Sequence, residues 1–130
     1  MEFQGRNVII TGGSSGIGKA TAKLLAKYEA NVFIIARGQK KLDQAIQEIE
    51  AEHISIDQRF GAFSTDVRNH EEVEAAISAI VETAGPPDIL INSAGICHPG
   101  YFAELPLSLF RDEMDTNYFG TLHTTKAVLP

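Results

Sequence analysis

The amino-acid sequence predicts an α/β fold in which helices cover both faces of a parallel sheet. Short apolar runs alternate along the 130 residues with longer segments whose apolar residues recur at helical spacing. A glycine-rich segment joins the first apolar run to the first helical segment, which is typical of a tight strand-to-helix turn. Such alternation builds right-handed crossover units, and the length allows at most one domain. The expected architecture is therefore a doubly wound parallel sheet.

Four apolar runs are predicted to be the parallel strands. Residues 7–11 and 32–35 are almost continuously apolar, as expected of strands that are buried on both faces. Residues 59–65 are less apolar, which predicts a strand near an edge of the sheet. Residues 88–92 form the fourth run.

Helical periodicity predicts four helices between and after these strands. The first helix begins at Gly16, and its predicted buried face consists of Ile17, Ala20, Leu24, Leu25 and Tyr28. The stripes of the next two helices are Leu42, Ala45, Ile46 and Ile49, then Val73, Ala76, Ile77, Ile80 and Ala84. Asn69, with Glu72 three residues later, resembles a capping box at the start of the third helix. The last helical stretch is predicted from about Ser108 to Leu129.

Composition narrows the class of function. The formal net charge of −6 argues against nucleic acid or an anionic membrane surface as the main partner. Neither a signal peptide nor an apolar run long enough to span a membrane occurs in the sequence. The single cysteine, Cys97, excludes an internal disulfide and suits a cytoplasmic protein. The four histidines lack metal-ligand spacing, so no metal site is expected.

The glycine-rich segment at residues 11–18 has the order expected of a phosphate-binding turn. Gly12 allows the chain to turn sharply off the strand, and Gly16 allows a pyrophosphate to approach the backbone. Gly18 allows the new helix to pack close to the sheet. The free N–H groups and the positive dipole end of that helix then form an anion site. Glycines also mark ordinary turns, so the residues after the other strands decide between the two interpretations.

The residues after the second strand favour NADP(H) over NAD. Ligands of such a sheet bind beyond the carboxyl ends of the strands. Here Ala36 and Arg37 are followed by Lys41, and the acidic residue that would bind ribose hydroxyls is absent. Arg37 can pair with a 2′-phosphate through a charge-assisted fork. The alternative interpretation is a solvated basic loop before a helix.

Asp66 and Val67 follow the third strand, and the segment from Asn92 to Gly95 follows the fourth. Asp66 could accept a hydrogen bond from an adenine amino group while Val67 packs on the ring, or Asp66 could cap the next helix. The small residues after Asn92 would let the backbone pass close to a flat ligand, and Asn92 itself can tie neighbouring loops together. A simple tight turn would account for the same residues.

Asn117 is the unexpected residue of the last helix. It follows Phe110 by seven positions and Met114 by three, so it falls on an apparently apolar face. A buried amide is unfavourable unless its groups are hydrogen-bonded. Spacing alone leaves both a structural and a catalytic role open.

Together these motifs resemble the short-chain dehydrogenase/reductase family over almost the whole chain. Residues 11–18 resemble its cofactor loop, Asp66 and Val67 its adenine-contacting pair, and Asn92 to Gly95 its N-N-A-G turn, with Ser93 in the second position. Asn117 falls where the family has the Asn of its catalytic tetrad. The resemblance implies a Rossmann-type sheet with strand order 3-2-1-4 and an NADP(H)-dependent oxidoreductase. It further implies a ketone or alcohol substrate and a homo-oligomer.

Within the family, the chain most resembles the 3-ketodihydrosphingosine reductases, which reduce a long-chain amino ketone with NADPH in sphingolipid synthesis. The 3-oxoacyl-carrier-protein reductases share most of the same features. The resemblance makes Asn117 the one catalytic residue of this chain. The cofactor-binding residues it implies are Gly12, Ser14, Ser15, Gly16, Ile17, Gly18, Arg37, Lys41, Asp66, Val67, Asn92, Ala94 and Gly95.

The family's catalytic Ser and Tyr-x-x-x-Lys motif do not occur in these residues. Tyr101 and Tyr118 are followed four residues later by Leu105 and Leu122 rather than by lysine. Residues 1–130 are therefore expected to be the N-terminal, cofactor-binding part of a single domain. By themselves they should be inactive, since positioned proton transfer contributes roughly 10²–10⁴-fold to rate. A non-catalytic NADP(H)-binding module is the alternative from another class.

Overall fold

A computed structural model describes residues 2–130 and contains a four-stranded parallel sheet with strand order β3-β2-β1-β4. This order confirms the predicted doubly wound architecture. The strands are β1 (Asn7–Thr11), β2 (Asn31–Ala36), β3 (Phe60–Ser64) and β4 (Ile89–Asn92). Each lies within two residues of its predicted bounds, and β3 is at an edge of the sheet, as its weaker apolar character predicts.

One helix follows each of the first three strands, and several helical segments follow the fourth. The helices are α1 (Gly16–Lys27), α2 (Gln39–Glu50), α3 (His70–Ala84), α4 (Leu107–Glu113) and α5 (Gly120–Val128), with a π-helical segment (Met114–Phe119) between α4 and α5. The predicted last helix is thus interrupted by a π turn that its periodicity does not reveal. No helix among residues 2–130 has both the length and the apolar character of a membrane span.

The two central strands are buried on both faces, which explains their continuous apolar sequence. Val8, Ile10 and Ile34 belong to the core that packs against α1 and α2, while Ile9 and Phe33 face α3. Fully burying side chains of this size contributes about 1.5–3 kcal/mol each. The predicted stripes of α2 and α3 lie in these two cores.

The predicted buried face of α1 is wrong except at Leu25, which is buried. Ile17 is 82% exposed and Leu24 is 54% exposed, and Ala20 also faces solvent. The residues that face the sheet are Leu25 and three small ones, Gly18, Ala22 and Ala26. They form an equally regular helical stripe, and their small side chains allow the helix axis to lie close to the strands. The prediction from helical spacing chose the stripe with the larger apolar residues, although the structure buries the stripe with the smaller ones.

Asn69 caps α3, but only half of the predicted capping box forms. The Asn69 side chain accepts a hydrogen bond from the Glu72 backbone N–H at 3.2 Å. The Glu72 carboxylate does not return to Asn69; it accepts the backbone N–H of Asp66 at 2.9 Å. The start of α3 is therefore tied to the segment that follows β3.

Replacing the cap should destabilise the fold modestly. Asn69→Ala removes the acceptor for the Glu72 N–H and should lower the free energy of unfolding by about 1 kcal/mol. Urea denaturation followed by circular dichroism measures the difference. Asn69→Ser keeps a capping oxygen and should retain most of the stability. Equal stability of the Ala variant and the parent would show that the cap contributes nothing.

Candidate functional site

The carboxyl ends of all four strands border one cleft, with a volume of about 340 Å³. Eight of the predicted cofactor-binding residues line it: Gly12, Ser14, Arg37, Lys41, Asp66, Val67, Ala94 and Gly95. The others do not; they are Ser15, Gly16, Ile17, Gly18 and Asn92. Parallel strands bring their carboxyl ends to the same edge of the sheet, so residues distant in sequence meet here.

The turn after β1 is in close contact with the segment after β4. Gly12 has a φ of 68°, and a Cβ at this position would lie 2.7 Å from both the Ala94 nitrogen and the Ser93 oxygen. The Thr11 hydroxyl accepts the backbone N–H groups of Ser93 and Ala94, each at 3.2 Å. Gly18 lies directly against the Gly12 carbonyl, which leaves no room for a side chain. Gly18 therefore has the packing role predicted for it.

The first turn of α1 is exposed beside the cleft. Gly16 has a φ of 53°, and no atom lies within 4 Å of the position that its Cβ would occupy. Ser15, the N-cap residue, makes no side-chain capping hydrogen bond. The N–H groups of the first turn are therefore available to an anion approaching from the cleft. The Ile17 side chain projects into solvent.

Two basic side chains border the cleft after β2. Arg37 and Lys41 are both exposed, and within residues 2–130 neither forms an ion pair. The Arg37 carbonyl accepts a hydrogen bond from the Ser64 hydroxyl at 2.9 Å, which ties this loop to the end of β3. The structure thus leaves two unneutralised positive charges beside the cleft.

Asp66 is the one carboxylate that lines the cleft in the part of the chain that the structure describes. Its Oδ2 is 2.8 Å from Nη2 of Arg68. Hydrogen bonds from the Arg68 side chain hold the pKa of Asp66 below its ordinary value, and the Arg37 charge adds a smaller effect. Because the folded-state pKa is depressed, this interaction stabilises the fold above the pKa of an unfolded carboxyl. The contribution is lost as the pH falls through the folded value.

Val67 is buried beside Asp66 and forms an apolar part of the wall. A Cβ on Gly120 would lie 2.7 Å from Cγ2 of Val67, so the start of α5 packs tightly behind this side chain. The His123 ring on the same helix lies 2.7 Å from the Val67 carbonyl through Nδ1. These contacts fix the position of the apolar wall.

Asn92 connects β4 to α5 and does not face the cleft. Its Oδ1 accepts the Thr124 hydroxyl at 2.6 Å, and its Nδ2 donates to the Thr125 hydroxyl at 3.4 Å. The predicted role of tying neighbouring segments together agrees with these contacts. A direct contact of Asn92 with a cofactor remains a prediction.

Asn117 lies in the π-helical segment, and its side chain is exposed rather than buried on an apolar face. Its Oδ1 accepts the backbone N–H of Ile96 and its Nδ2 donates to the Ile96 carbonyl, both at 2.8 Å. A Cβ on Gly95 would lie 3.2 Å from Asn117 Oδ1, so the loop passes close to the amide. Ile96 itself lines the cleft, so Asn117 supports the wall from behind.

Sequence reasoning missed six residues of the cleft wall, which are Ile35, Ala36, Gly38, Thr65, Ile96 and Thr116. All but Thr116 adjoin a segment identified after a strand, so inspecting one or two further positions on each side would have found them. Thr116 precedes Asn117, and only the π turn directs it toward the cleft. Within residues 2–130, no three His, Cys, Asp or Glu side chains are grouped as metal ligands.

Known proteins resemble this chain in sequence and in fold. A family model described as short chain dehydrogenase matches residues 6–130. A 3-dehydrosphinganine reductase from Danio rerio is 38% identical over 99% of this chain and 39% of its own length. A 3-ketodihydrosphingosine reductase from Bos taurus is 40% identical over the same shares, 99% and 39%. The chain thus spans well under half the length of these curated relatives.

Solved structures share the fold. An actinorhodin polyketide ketoreductase variant with NADPH superposes with a TM-score of 0.87 at 37% identity, covering 95% of this chain and 46% of that one. An NAD⁺-bound xylitol dehydrogenase superposes with a TM-score of 0.88 at 26% identity, covering 98% of this chain and 48% of that one. The two neighbours carry different nicotinamide cofactors, so the shared fold does not choose between NAD and NADP.

The support that Asn117 gives to the cleft wall can be tested without a ligand. Asn117→Ala removes the acceptor of the Ile96 N–H, so that amide should exchange with solvent roughly tenfold faster. Hydrogen exchange followed by NMR measures the rate. Asn117→Asp keeps an acceptor for this N–H and should protect it better than Ala does. Unchanged protection in Asn117→Ala would contradict the assigned role.

Proposed function

Because the chain belongs to the short-chain dehydrogenase family, we propose that it binds NADP(H) in the cleft at the carboxyl ends of its strands. The observation that carries this proposal is the wall after β2, where Arg37 and Lys41 form no ion pair with any residue of the described range 2–130. The residues also fit the shape of a dinucleotide. Gly16 leaves open the space that a side chain would occupy at the first turn of α1, and an apolar surface at Val67 suits a base.

Each part of the cofactor has a candidate site in this chain. The pyrophosphate would lie at the exposed first turn of α1, where Gly16 and the free N–H groups favour an anion. The 2′-phosphate would pair with Arg37 and Lys41. The adenine would contact Val67 while its amino group donates to the Asp66 carboxylate. Ser14, Ser15, Ile17, Ala94 and Gly95 are proposed as further contacts around the turn and the β4 loop.

The proposed reaction is reduction of a ketone to an alcohol. When bound, the cofactor supplies the hydride that the carbonyl carbon accepts. Asn117 is proposed to hold a water molecule of the proton relay. After its two bonds to Ile96, the amide retains one N–H and one lone pair, which such a water could use. The proton donor itself, a tyrosine assisted by lysine and serine, would come from sequence beyond these 130 residues.

We propose 3-ketodihydrosphingosine as the substrate, since the two curated relatives described above carry that activity, or the 3-dehydrosphinganine equivalent, in their names. The polyketide ketoreductase among the solved structures makes an acyl-chain ketone the alternative. We further propose that the 130 residues are the N-terminal part of one such domain, and that the protein acts in the cytoplasm as a homo-oligomer.

Reading the complete gene tests the catalytic part of this proposal. We expect a Ser and a Tyr-x-x-x-Lys motif after residue 130, and NADPH-dependent reduction of 3-ketodihydrosphingosine by the purified product. A product that binds NADPH but lacks these residues and reduces no ketone would instead be a binding module. Reduction of 3-oxoacyl thioesters alone would favour the alternative substrate.

The cofactor preference depends on the charge after β2. Arg37→Asp should weaken NADPH binding at least tenfold relative to NADH, because a charge-assisted hydrogen bond is lost and a repulsion is gained. Calorimetric titration with both cofactors measures the ratio. Lys40→Asp makes the same type of charge reversal beside the cleft without altering its lining, so it should change the ratio little. Equal affinities of the parent for the two cofactors would refute the NADP(H) assignment.

A further inference from the structure

Arg68 lies behind Asp66, the one carboxylate that residues 2–130 contribute to the cleft wall, and is not itself among the lining residues. It borders a separate surface depression on the far side of Asp66, together with Asn69, His70 and Asp115. The contact of Arg68 with Asp66 gives it a way to act on a ligand in the cleft. The proposed cofactor contacts give Arg68 no role.

We propose that Arg68 is a positioning residue that makes the cleft selective for adenine, by holding the Asp66 carboxylate in one orientation. This inference deepens the proposed function and rests on it. The base-recognising unit is then a pair, in which Asp66 contacts the ligand and Arg68 fixes the direction in which the Asp66 oxygens point.

The geometry of the pair fixes the carboxylate in one orientation. Nε of Arg68 lies 3.1 Å from each Asp66 oxygen, and Nη2 lies 2.8 Å from Oδ2. The backbone N–H of Arg68 donates to Oδ1 at 3.0 Å. Both the backbone N–H and the side chain of Arg68 thus donate hydrogen bonds to the Asp66 carboxylate. A carboxylate can accept about four hydrogen bonds. The donors of Arg68 use most of these positions, so Asp66 can accept about one further hydrogen bond from a ligand.

Neighbouring elements hold both members of the pair. The Glu72 carboxylate on α3 accepts the Asp66 backbone N–H at 2.9 Å. Arg68 Nη1 lies 3.3 Å from Asp112 Oδ1 on α4, and the charge of Asp115 in the π-helical segment also favours the guanidinium. The titratable groups that face the pair are therefore these three carboxylates, Arg37 across the cleft, and His70 and Glu71 in the depression.

Base selectivity follows from the chemistry of the fixed carboxylate. Adenine presents an amino group where hypoxanthine presents a carbonyl oxygen, so an ionised carboxylate attracts the first and repels the second. A carboxylate that could rotate would not keep an oxygen directed at the amino group and would lose much of this discrimination. Arg68 prevents the rotation, because its side-chain donors occupy both Asp66 oxygens.

The test compares NADP⁺ with its hypoxanthine analogue, nicotinamide hypoxanthine dinucleotide phosphate, by calorimetric titration of the complete protein that contains these residues. The parent should bind NADP⁺ about tenfold or more tightly than the analogue, as expected for a charged hydrogen bond. Arg68→Ala should reduce the ratio to below about threefold, and so should Asp66→Asn. Arg59→Ala is the matched control. It removes the same charge at the opposite end of β3, where Arg59 donates to the Thr83 carbonyl, and should leave the ratio unchanged.

The selectivity ratio separates positioning from a structural role. If Arg68 only supported the fold, Arg68→Ala would weaken both nucleotides equally, and that result would overturn the proposal. A parent that binds both nucleotides equally well would overturn it too, while leaving NADP(H) binding intact. A parent that binds neither would refute the proposed function, and the inference with it.

Discussion

The close approach of the β1 turn to the β4 loop is the contact on which the rest of the structure depends. Gly12 has a left-handed backbone and lies against Ser93 and Ala94, where a Cβ would overlap main-chain atoms. The Thr11 hydroxyl accepts two N–H groups of the same loop. Gly18 then brings α1 against the Gly12 carbonyl. A side chain at Gly12 would separate the β1 turn from the β4 loop, and a side chain at Gly18 would separate α1 from the sheet. The site therefore requires close backbone contact at both positions.

The character of the cleft follows from this contact and from the strand order. Since β1 lies between β2 and β4, the small residues after β1 and β4, such as Gly12 and Gly95, meet the segments after β2 and β3. Those segments contribute charges of both signs, with Arg37 and Lys41 from one and Asp66 from the other. A chain of net charge −6 thereby gains a local positive site. Backbone contact on one side and charge on the other suit a ligand that combines phosphates with a flat base.

Much of the fold could be predicted from the sequence because strands buried on both faces leave continuous apolar runs, a pattern that half-exposed strands and surface helices do not produce. The buried face of α1 could not be predicted, because two different stripes of residues both recur at helical spacing. Hydrophobicity favours the stripe that contains Ile17 and Leu24, whereas close packing against the sheet buries the stripe that contains Ala22. Most of the cleft could be predicted from the ends of the strands, because the parallel topology brings those ends together. The interaction of Arg68 with Asp66 could be identified only from the structure, since a basic residue two positions after an aspartate is equally compatible with a solvated loop.

The π-helical segment explains why the predicted catalytic residue and the cleft wall are not separate features. A regular α-helix turns every 3.6 residues, whereas a π turn accommodates an additional residue. In this irregular turn Thr116 is buried against the cleft, while Asn117 pairs with both backbone groups of Ile96. Immediately afterwards Gly120 fits against Val67. One irregular turn thus contacts the apolar wall and the β4 loop, and it also carries the Asn117 amide.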